Sequence, residues 1–139
     1  MRVVADTNIV VSGLMWRGNS RRILDAARAG DIELLTTIPL LAELEDVLGR
    51  EKFAARLVAA AVTPHELVLG YAALASIIDP AEIEPVVLAD PDDDAVIACA
   101  VAGRSEAIVS GDSHLLDLKQ YQGIRIVTAA ELVAEIQLR

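Results

Sequence analysis

The sequence predicts an α/β protein with three layers, α/β/α, in which a central, mainly parallel five-stranded sheet lies between helices. Short apolar segments alternate with segments of helical spacing along the 139 residues, and this alternation is typical of a parallel sheet covered on both faces. The apolar fraction of 54% supplies a substantial core, which must consist of aliphatic residues because only 3% are aromatic. A chain of this length is expected to form one domain, residues 1–139.

The first elements of the chain are a strand, a helix and a second strand. Residues 3–5 form a short apolar run that is typical of a buried strand. Asn19 and Ser20 are good helix N-caps, apolar residues then recur at helical spacing, and Gly30 ends the helix. Residues 32–36 are strand-like in composition and predict the second strand.

Three helices are predicted next. Pro39 suits the first turn of a helix that Gly49 ends, and residues 53–62 form another. Thr63 and Glu66 have the spacing of a capping box, which opens a third helix.

The remaining elements continue the alternation. Asp90 and Pro91 mark a helix start, and Thr128 begins the last helix. The pattern predicts strands at residues 77–78, 107–110 and 124–127, helices at 91–102, 115–118 and 128–137, and an irregular connection at 81–89.

Charge and composition exclude several classes of protein. The net charge of −9, with Lys52 and Lys119 as the only lysines, argues against broad binding through phosphate neutralisation but leaves room for an enzyme that recruits divalent cations. The longest apolar run has eight residues, against about 18 for a membrane span, and the N-terminus does not have the form of a signal peptide. Cys99 is alone, which excludes a disulfide scaffold and a cysteine zinc site. We expect a cytoplasmic protein with no membrane contact.

Two acidic residues follow predicted strands. Asp6 comes after the first strand and Asp112 after the strand at 107–110. Ligands of open α/β sheets bind beyond the carboxyl ends of the strands, although Asp is also common there because it caps helices and forms turns.

Two helices carry further candidates that spacing alone does not separate. Asp94 is followed by apolar residues at i+3, i+4 and i+7, yet the helix is apolar nearly all round, so Asp93 is only weakly distinguished from it. Glu43 and Glu45 border opposite sides of one apolar stripe. Carboxylates that converge at one sheet edge repel each other, and a hard cation bound by oxygen, Mg²⁺ or Mn²⁺, would offset that repulsion.

The sequence resembles the PIN-domain family of metal-dependent ribonucleases, in particular the VapC-type toxins of toxin–antitoxin pairs. Each matching motif is short, but the motifs occur in the family's order over nearly the whole chain. They are Val4-Ala5-Asp6-Thr7-Asn8-Ile9-Val10, Leu40-Leu41-Ala42-Glu43-Leu44, Asp90-Pro91-Asp92-Asp93-Asp94 with the apolar residues that follow, and Val109-Ser110-Gly111-Asp112.

The resemblance implies a set of site residues. The metal-binding, catalytic acids would be Asp6, Glu43, Asp94 and Asp112, with Asn8 and Ser110 forming supporting hydrogen bonds. Many relatives carry a further acid where this chain has His114, so we expect one Mg²⁺ or Mn²⁺ ion and leave a second open. Arg17, Arg21 and Arg22 are candidates for contact with RNA phosphates, and a purely structural surface role stays open beside that one.

The expected activity is a Mg²⁺- or Mn²⁺-dependent endoribonuclease that hydrolyses RNA with a metal-activated water, acting as the toxin of a toxin–antitoxin pair. The resemblance implies RNA as substrate, an antitoxin protein as partner, and a homodimer or higher homo-oligomer. The alternative is a degenerate PIN-like subunit that binds RNA or protein without cleaving. A receiver-like phospho-acceptor domain is disfavoured, because its chemistry needs a lysine after a late strand and only Lys119 comes near one.

Overall fold

The computed structural model describes residues 1–87 and 91–138. Within that part of the chain the strands are β1 (Arg2–Ala5), β2 (Glu33–Thr36), β3 (Ser76–Ile77), β4 (Ala107–Val109), β5 (Gln120–Tyr121) and β6 (Ile124–Val127). The helices are α1 (Thr7–Met15), α2 (Asn19–Arg28), α3 (Ile38–Leu48), α4 (Glu51–Ala59), α5 (Pro64–Leu74), α6 (Pro91–Ala102), α7 (Ser113–Leu118) and α8 (Ala129–Gln137).

The strands form one sheet in the order β3-β2-β1-β4-β6-β5. Every pairing is parallel except that of β5 with β6, which confirms the expected mainly parallel α/β fold. The sheet has six strands rather than five, because the chain turns at Gln122 and Gly123 and pairs Tyr121 with Ile124. Both turn residues have positive φ, as a two-residue hairpin turn of type I′ requires. A strand of two residues is too short to show a period of two in the sequence.

Alternation along β1 explains the three layers. Val3 and Ala5 pack into one apolar cluster and Val4 into another, since successive side chains of a strand point to opposite faces. The first cluster contains residues of α1, α2, α3, α4, α5 and α8, and the second contains residues of α6 and α7. Both faces of the sheet are therefore covered, and the edge formed by the carboxyl ends of the strands is left for a site.

Helix α1 is an element that the sequence pattern does not predict. The side chain of Asp6 caps it by accepting a hydrogen bond from the backbone N–H of Ile9 at 2.9 Å. Ile9, Val10 and Val11 are all buried, because α1 packs against both α2 and α3. A helix covered on several sides shows no amphipathic period, and its run of β-branched residues resembles a strand.

Helix caps agree in part with the expectation. Thr63 caps α5 by accepting a hydrogen bond from the N–H of Glu66 at 3.1 Å. Helix α2 differs, because Asn19 is already helical and Gly18 occupies the N-cap position, where no side chain caps the helix. The expected boundary at Asp90 lies outside the described residues.

Among the residues described, no single helix has both the length and the apolar composition to cross a membrane. Helices α4 and α5 together meet those two requirements, but they are bent by 82° at the break between them.

Candidate metal centre

The pairing of β1 with β4 places the first two candidate segments side by side. Ala5 is in register with Val109, and the N–H of Asp6 donates to the carbonyl of Val109 at 3.0 Å. Asp6 and Ser110, which follow these partners, thus leave the sheet at the same edge. Both side chains are buried.

The carboxylate of Asp6 is held at both oxygens. Oδ1 accepts from the N–H of Ile9, and Oδ2 accepts from the hydroxyl of Ser110. Burial raises the pKa of Asp6 above its ordinary value, the hydrogen bonds from Ser110 and from the backbone oppose that rise, and the nearby charge of Asp112 adds to it. A buried carboxylate with a raised pKa is a group whose charge an adjacent cation would stabilise.

Hydrogen bonds within the connection between β4 and α7 hold Asp112 in place. The hydroxyl of Ser110 accepts from the N–H of Asp112 at 2.9 Å, and Oδ1 of Asp112 accepts from the N–H groups of His114 and Leu115 at the start of α7. Ser110 therefore connects Asp6 and Asp112 through one side chain.

The orientation of α3 gives its two candidate acids, Glu43 and Glu45, different surroundings. Glu43 is half-buried and lines a cleft together with Asp6 and Asp112. Glu45 is exposed, and its Oε1 lies 2.8 Å from Nδ1 of His65 on α5. Packing of α3 against α1 decides which of the two acids faces the cleft.

The structure places Asp94 differently from the expectation. Oδ1 of Asp94 accepts hydrogen bonds from the backbone N–H groups of Val86 and Val87, at 3.1 and 2.9 Å, and Asp94 does not line the cleft. Asp93 does line it and is only 6% exposed. The reason is the rotation of α6 about its axis, which an apolar, unperiodic helix leaves undetermined in the sequence.

The resulting concavity, which we call the acidic cleft, has a volume of about 180 Å³. Asn8 lines it with its exposed side chain, and so do Thr7 and Arg50, whose roles the sequence pattern did not suggest. Arg50 is the N-cap residue of α4, and its guanidinium lies 3.7 Å from the carboxylate of Asp46. Within residues 1–87 and 91–138, five carboxylates line the cleft: Asp6, Glu43, Asp92, Asp93 and Asp112.

The donor set of the acidic cleft fits a hard divalent cation. Asp93, Asp112 and His114 each offer one ligand atom, and these three atoms lie within 4.8 Å of one another. Carboxylate oxygens suit Mg²⁺ and Mn²⁺, and one imidazole nitrogen is compatible with Mn²⁺. Nδ1 of His114 lies 3.6 Å from Oδ1 of Asp112, so the position for which the resemblance implied a further acid lies directly beside this carboxylate.

The three arginines that were candidates for RNA contact lie outside the acidic cleft. They line a separate concavity of about 590 Å³, bounded by residues of α1, α2 and α5, which we call the arginine cleft. In the described part of the chain its lining includes four arginines: Arg17, Arg21, Arg22 and Arg28.

Comparisons with known proteins identify the family and the fold of this chain. The sequence profile of the PIN domain family matches residues 2–114. The fold is similar to that in the crystal structure of VapBC2 from Rickettsia felis bound to a DNA fragment from their promoter, with a TM-score of 0.61 and 14% identity over 92% of this chain and 98% of that chain. At this identity the likeness concerns the fold. None of the curated protein sequences compared with the chain matches it.

Proposed function

This chain belongs to the PIN domain family, and from that premise we propose that it is a divalent-metal-dependent endoribonuclease of the VapC toxin type. The single observation that carries the proposal is the convergence of five carboxylates in the acidic cleft at the carboxyl ends of β1 and β4. Mutual repulsion makes such a cluster unfavourable in a folded protein unless a cation offsets it.

We assign the metal to Asp6, Glu43, Asp93 and Asp112. Asp93 replaces Asp94 in this assignment because its carboxylate lies within 4.8 Å of a ligand atom of Asp112, whereas that of Asp94 is bonded to the backbone of residues 86 and 87. Bound Mg²⁺ or Mn²⁺ supplies a water of lowered pKa and polarises the phosphoryl oxygen. One ion would account for this donor set, and His114, whose ligand atom lies within 4.8 Å of those of Asp93 and Asp112, would lie beside the same ion.

The residues of the chain have separate roles in the proposed hydrolysis. Arg50, the only cation that lines the described part of the acidic cleft, faces the negative charge of the phosphodiester. Asn8 orients substrate or water at the mouth of the cleft. Ser110 holds Asp6 and Asp112 in place. In the reaction, the oxygen of a water forms a bond to phosphorus as the bond between phosphorus and the leaving ribose oxygen breaks. A cleft carboxylate takes up the proton of the attacking water, and the leaving oxygen gains a proton from solvent.

The biological setting follows from the same assignment. The similar structure from Rickettsia felis is a VapBC2 complex, so we propose a cognate antitoxin as protein partner and a homodimer or higher oligomer as the assembly. We propose that residues 1–139 act as one nuclease domain in the cytoplasm on an RNA substrate.

The experiment is cleavage of a mixed single-stranded RNA by the purified protein with Mg²⁺, with Mn²⁺ and with EDTA. Asp112→Asn is the test variant. Glu45→Gln is the matched control, because it removes a similar charge outside the acidic cleft. We expect metal-dependent cleavage that Asp112→Asn abolishes and Glu45→Gln leaves intact. Absence of cleavage together with absence of Mn²⁺ binding would favour a degenerate binding subunit.

A further inference from the structure

The arginine cleft concentrates positive charge in a protein whose net charge is −9. Among the residues that the structure describes, four of the chain's 12 Lys and Arg residues line it, namely Arg17, Arg21, Arg22 and Arg28, against a single acid, Asp25. The rest of the chain is therefore more acidic than the net charge suggests. A polyanion is repelled by the acidic cleft and attracted to this one.

Two of the arginines build the wall of the cleft. The guanidinium of Arg21 donates to the carbonyls of Gly13 and Leu14 at the end of α1. Arg28 pairs with Asp25 at 2.8 Å. A Cβ on Gly13 would lie 2.8 Å from a side-chain carbon of Leu24, so a glycine there allows α1 and α2 to approach closely.

The other two arginines have no such structural contact. Within residues 1–87 and 91–138, the guanidinium groups of Arg17 and Arg22 make neither a hydrogen bond nor an ion pair, although both line the cleft. No side chain caps the start of α2 at Gly18, so backbone N–H groups add further donors beside them. Planar guanidinium groups present paired donors that match the oxygens of a phosphate.

Helix α1 connects the two clefts. Thr7 and Asn8 at its start line the acidic cleft, and Gly13 and Leu14 near its end line the arginine cleft. At a rise of 1.5 Å per residue, the helix separates them by about 10 Å. This distance corresponds to about three stacked nucleotides at 3.4 Å each.

We propose that the arginine cleft is a second phosphate site, in which Arg17 and Arg22 bind a backbone phosphodiester of the RNA strand about three nucleotides from the bond that is cut. The inference rests on the proposed function for its substrate. RNA is favoured over an acidic peptide because α1 joins this cleft to the acidic cleft, where a phosphodiester must be held against five carboxylates. The site thus supplies attraction that the proposed cleavage site itself lacks.

The test compares the double variant Arg17→Ala, Arg22→Ala with Arg104→Ala. Arg104 is exposed, its guanidinium also makes no polar contact among the described residues, and it lines a different concavity near Gly123. All three arginines are outside the core, and circular dichroism checks that each variant folds. The probe is a short fluorescent single-stranded RNA of mixed sequence, and anisotropy is measured in EDTA so that no cleavage occurs.

For the double variant we expect RNA binding weaker by roughly tenfold or more, because both charged donors to the phosphate are lost. The slope of log Kd against log salt should fall by about 0.7, because each phosphate that is neutralised on a single strand contributes about that much. With metal present, KM for a long RNA should rise while kcat is kept, and cleavage of a dinucleotide should not change. Arg104→Ala should match the wild type in all of these measurements.

The outcomes separate this inference from the proposed function. If the wild type cleaves RNA and the double variant binds and cleaves it as Arg104→Ala does, the phosphate site is wrong and the nuclease stands. If RNA binding depends on Arg17 and Arg22 but no metal cleaves it, the site stands and the nuclease fails. If the double variant loses binding to poly-glutamate but keeps binding to RNA, the cleft serves an acidic protein and the inference is overturned.

Discussion

Asp93 and Asp94 are neighbours in the chain whose carboxylates face different parts of the protein. Asp93 lies in the acidic cleft with Asp112, and Asp94 accepts two hydrogen bonds from the backbone N–H groups of Val86 and Val87. Consecutive helical residues are about 100° apart around the axis, so the two carboxylates point in different directions and contact different groups. Asp94 ties residues 86 and 87 to the first turn of α6.

Substituting these two residues in turn separates metal binding from positioning. We expect Asp93→Asn to lower kcat by roughly 10²-fold or more because it removes a metal-binding charge. Asp94→Asn should lower kcat less, because the amide oxygen of Asn still accepts both hydrogen bonds from the backbone. Asp94→Ala removes those hydrogen bonds and should lower kcat more than Asp94→Asn does. Single-turnover cleavage and Mn²⁺ titration measure the effects. The opposite order, with Asp94→Asn inactive and Asp93→Asn active, would return Asp94 to the metal site.

Asp6→Asn should stabilise the metal-free protein at neutral pH. Asn keeps the N-cap of α1 and removes a buried charge. The pKa of Asp6 is raised in the folded protein, so as pH rises the Asp6 carboxyl ionises at a lower pH in the unfolded chain than in the folded one. The free energy of unfolding of the wild type therefore falls as pH rises from the ordinary pKa of 3.8 to the raised value. The increase in the free energy of unfolding that Asp6→Asn produces should therefore vanish at pH values below this range.

Thermal unfolding in EDTA across acidic to neutral pH measures this gain. Added Mn²⁺ should raise the Tm of the wild type and have a much smaller effect on Asp6→Asn. A variant that is less stable than the wild type at neutral pH, or equally stabilised by Mn²⁺, would contradict the role of Asp6.

Ser110→Ala should lower both stability and activity. The hydroxyl donates to Asp6 and accepts from Asp112, so its removal leaves buried partners unsatisfied at a cost of about 1–2 kcal/mol. Ser105→Ala is the matched control, because the buried hydroxyl of Ser105 has no hydrogen-bond partner in the described part of the chain. Urea unfolding should show lower stability, and RNA cleavage lower activity, for Ser110→Ala but not for Ser105→Ala. Equal effects of the two variants would refute the role of Ser110 as a bridge between Asp6 and Asp112.

His114→Asp should tighten Mn²⁺ and Mg²⁺ binding. The imidazole lies beside Asp112, with a ligand atom within 4.8 Å of one from Asp93, and a carboxylate there adds an oxygen ligand and a negative charge. Calorimetric titration of His114→Asp and His114→Ala against the wild type measures the difference. A Kd for Mg²⁺ that is unchanged in His114→Asp would place the side chain outside the metal site.

The sequence by itself determined the alternation of strands and helices, the parallel sheet, and the positions of Asp6 and Asp112 at strand ends. These features follow from local patterns of hydrophobicity and from turn chemistry, which a linear sequence carries directly. Glu43 was one of two residues allowed by spacing, and the resemblance to a family selected it over Glu45.

Tertiary structure decided the rest. Helix α1 and the rotation of α6 were not predictable, because both helices are apolar on several sides and have no amphipathic period that fixes which face points where. The packing of α3 against α1, and of α6 against the sheet, determines that Glu43 and Asp93 face the acidic cleft while Glu45 and Asp94 do not. The position of a carboxylate around a helix is thus set by what the helix packs on, and only the folded chain specifies that.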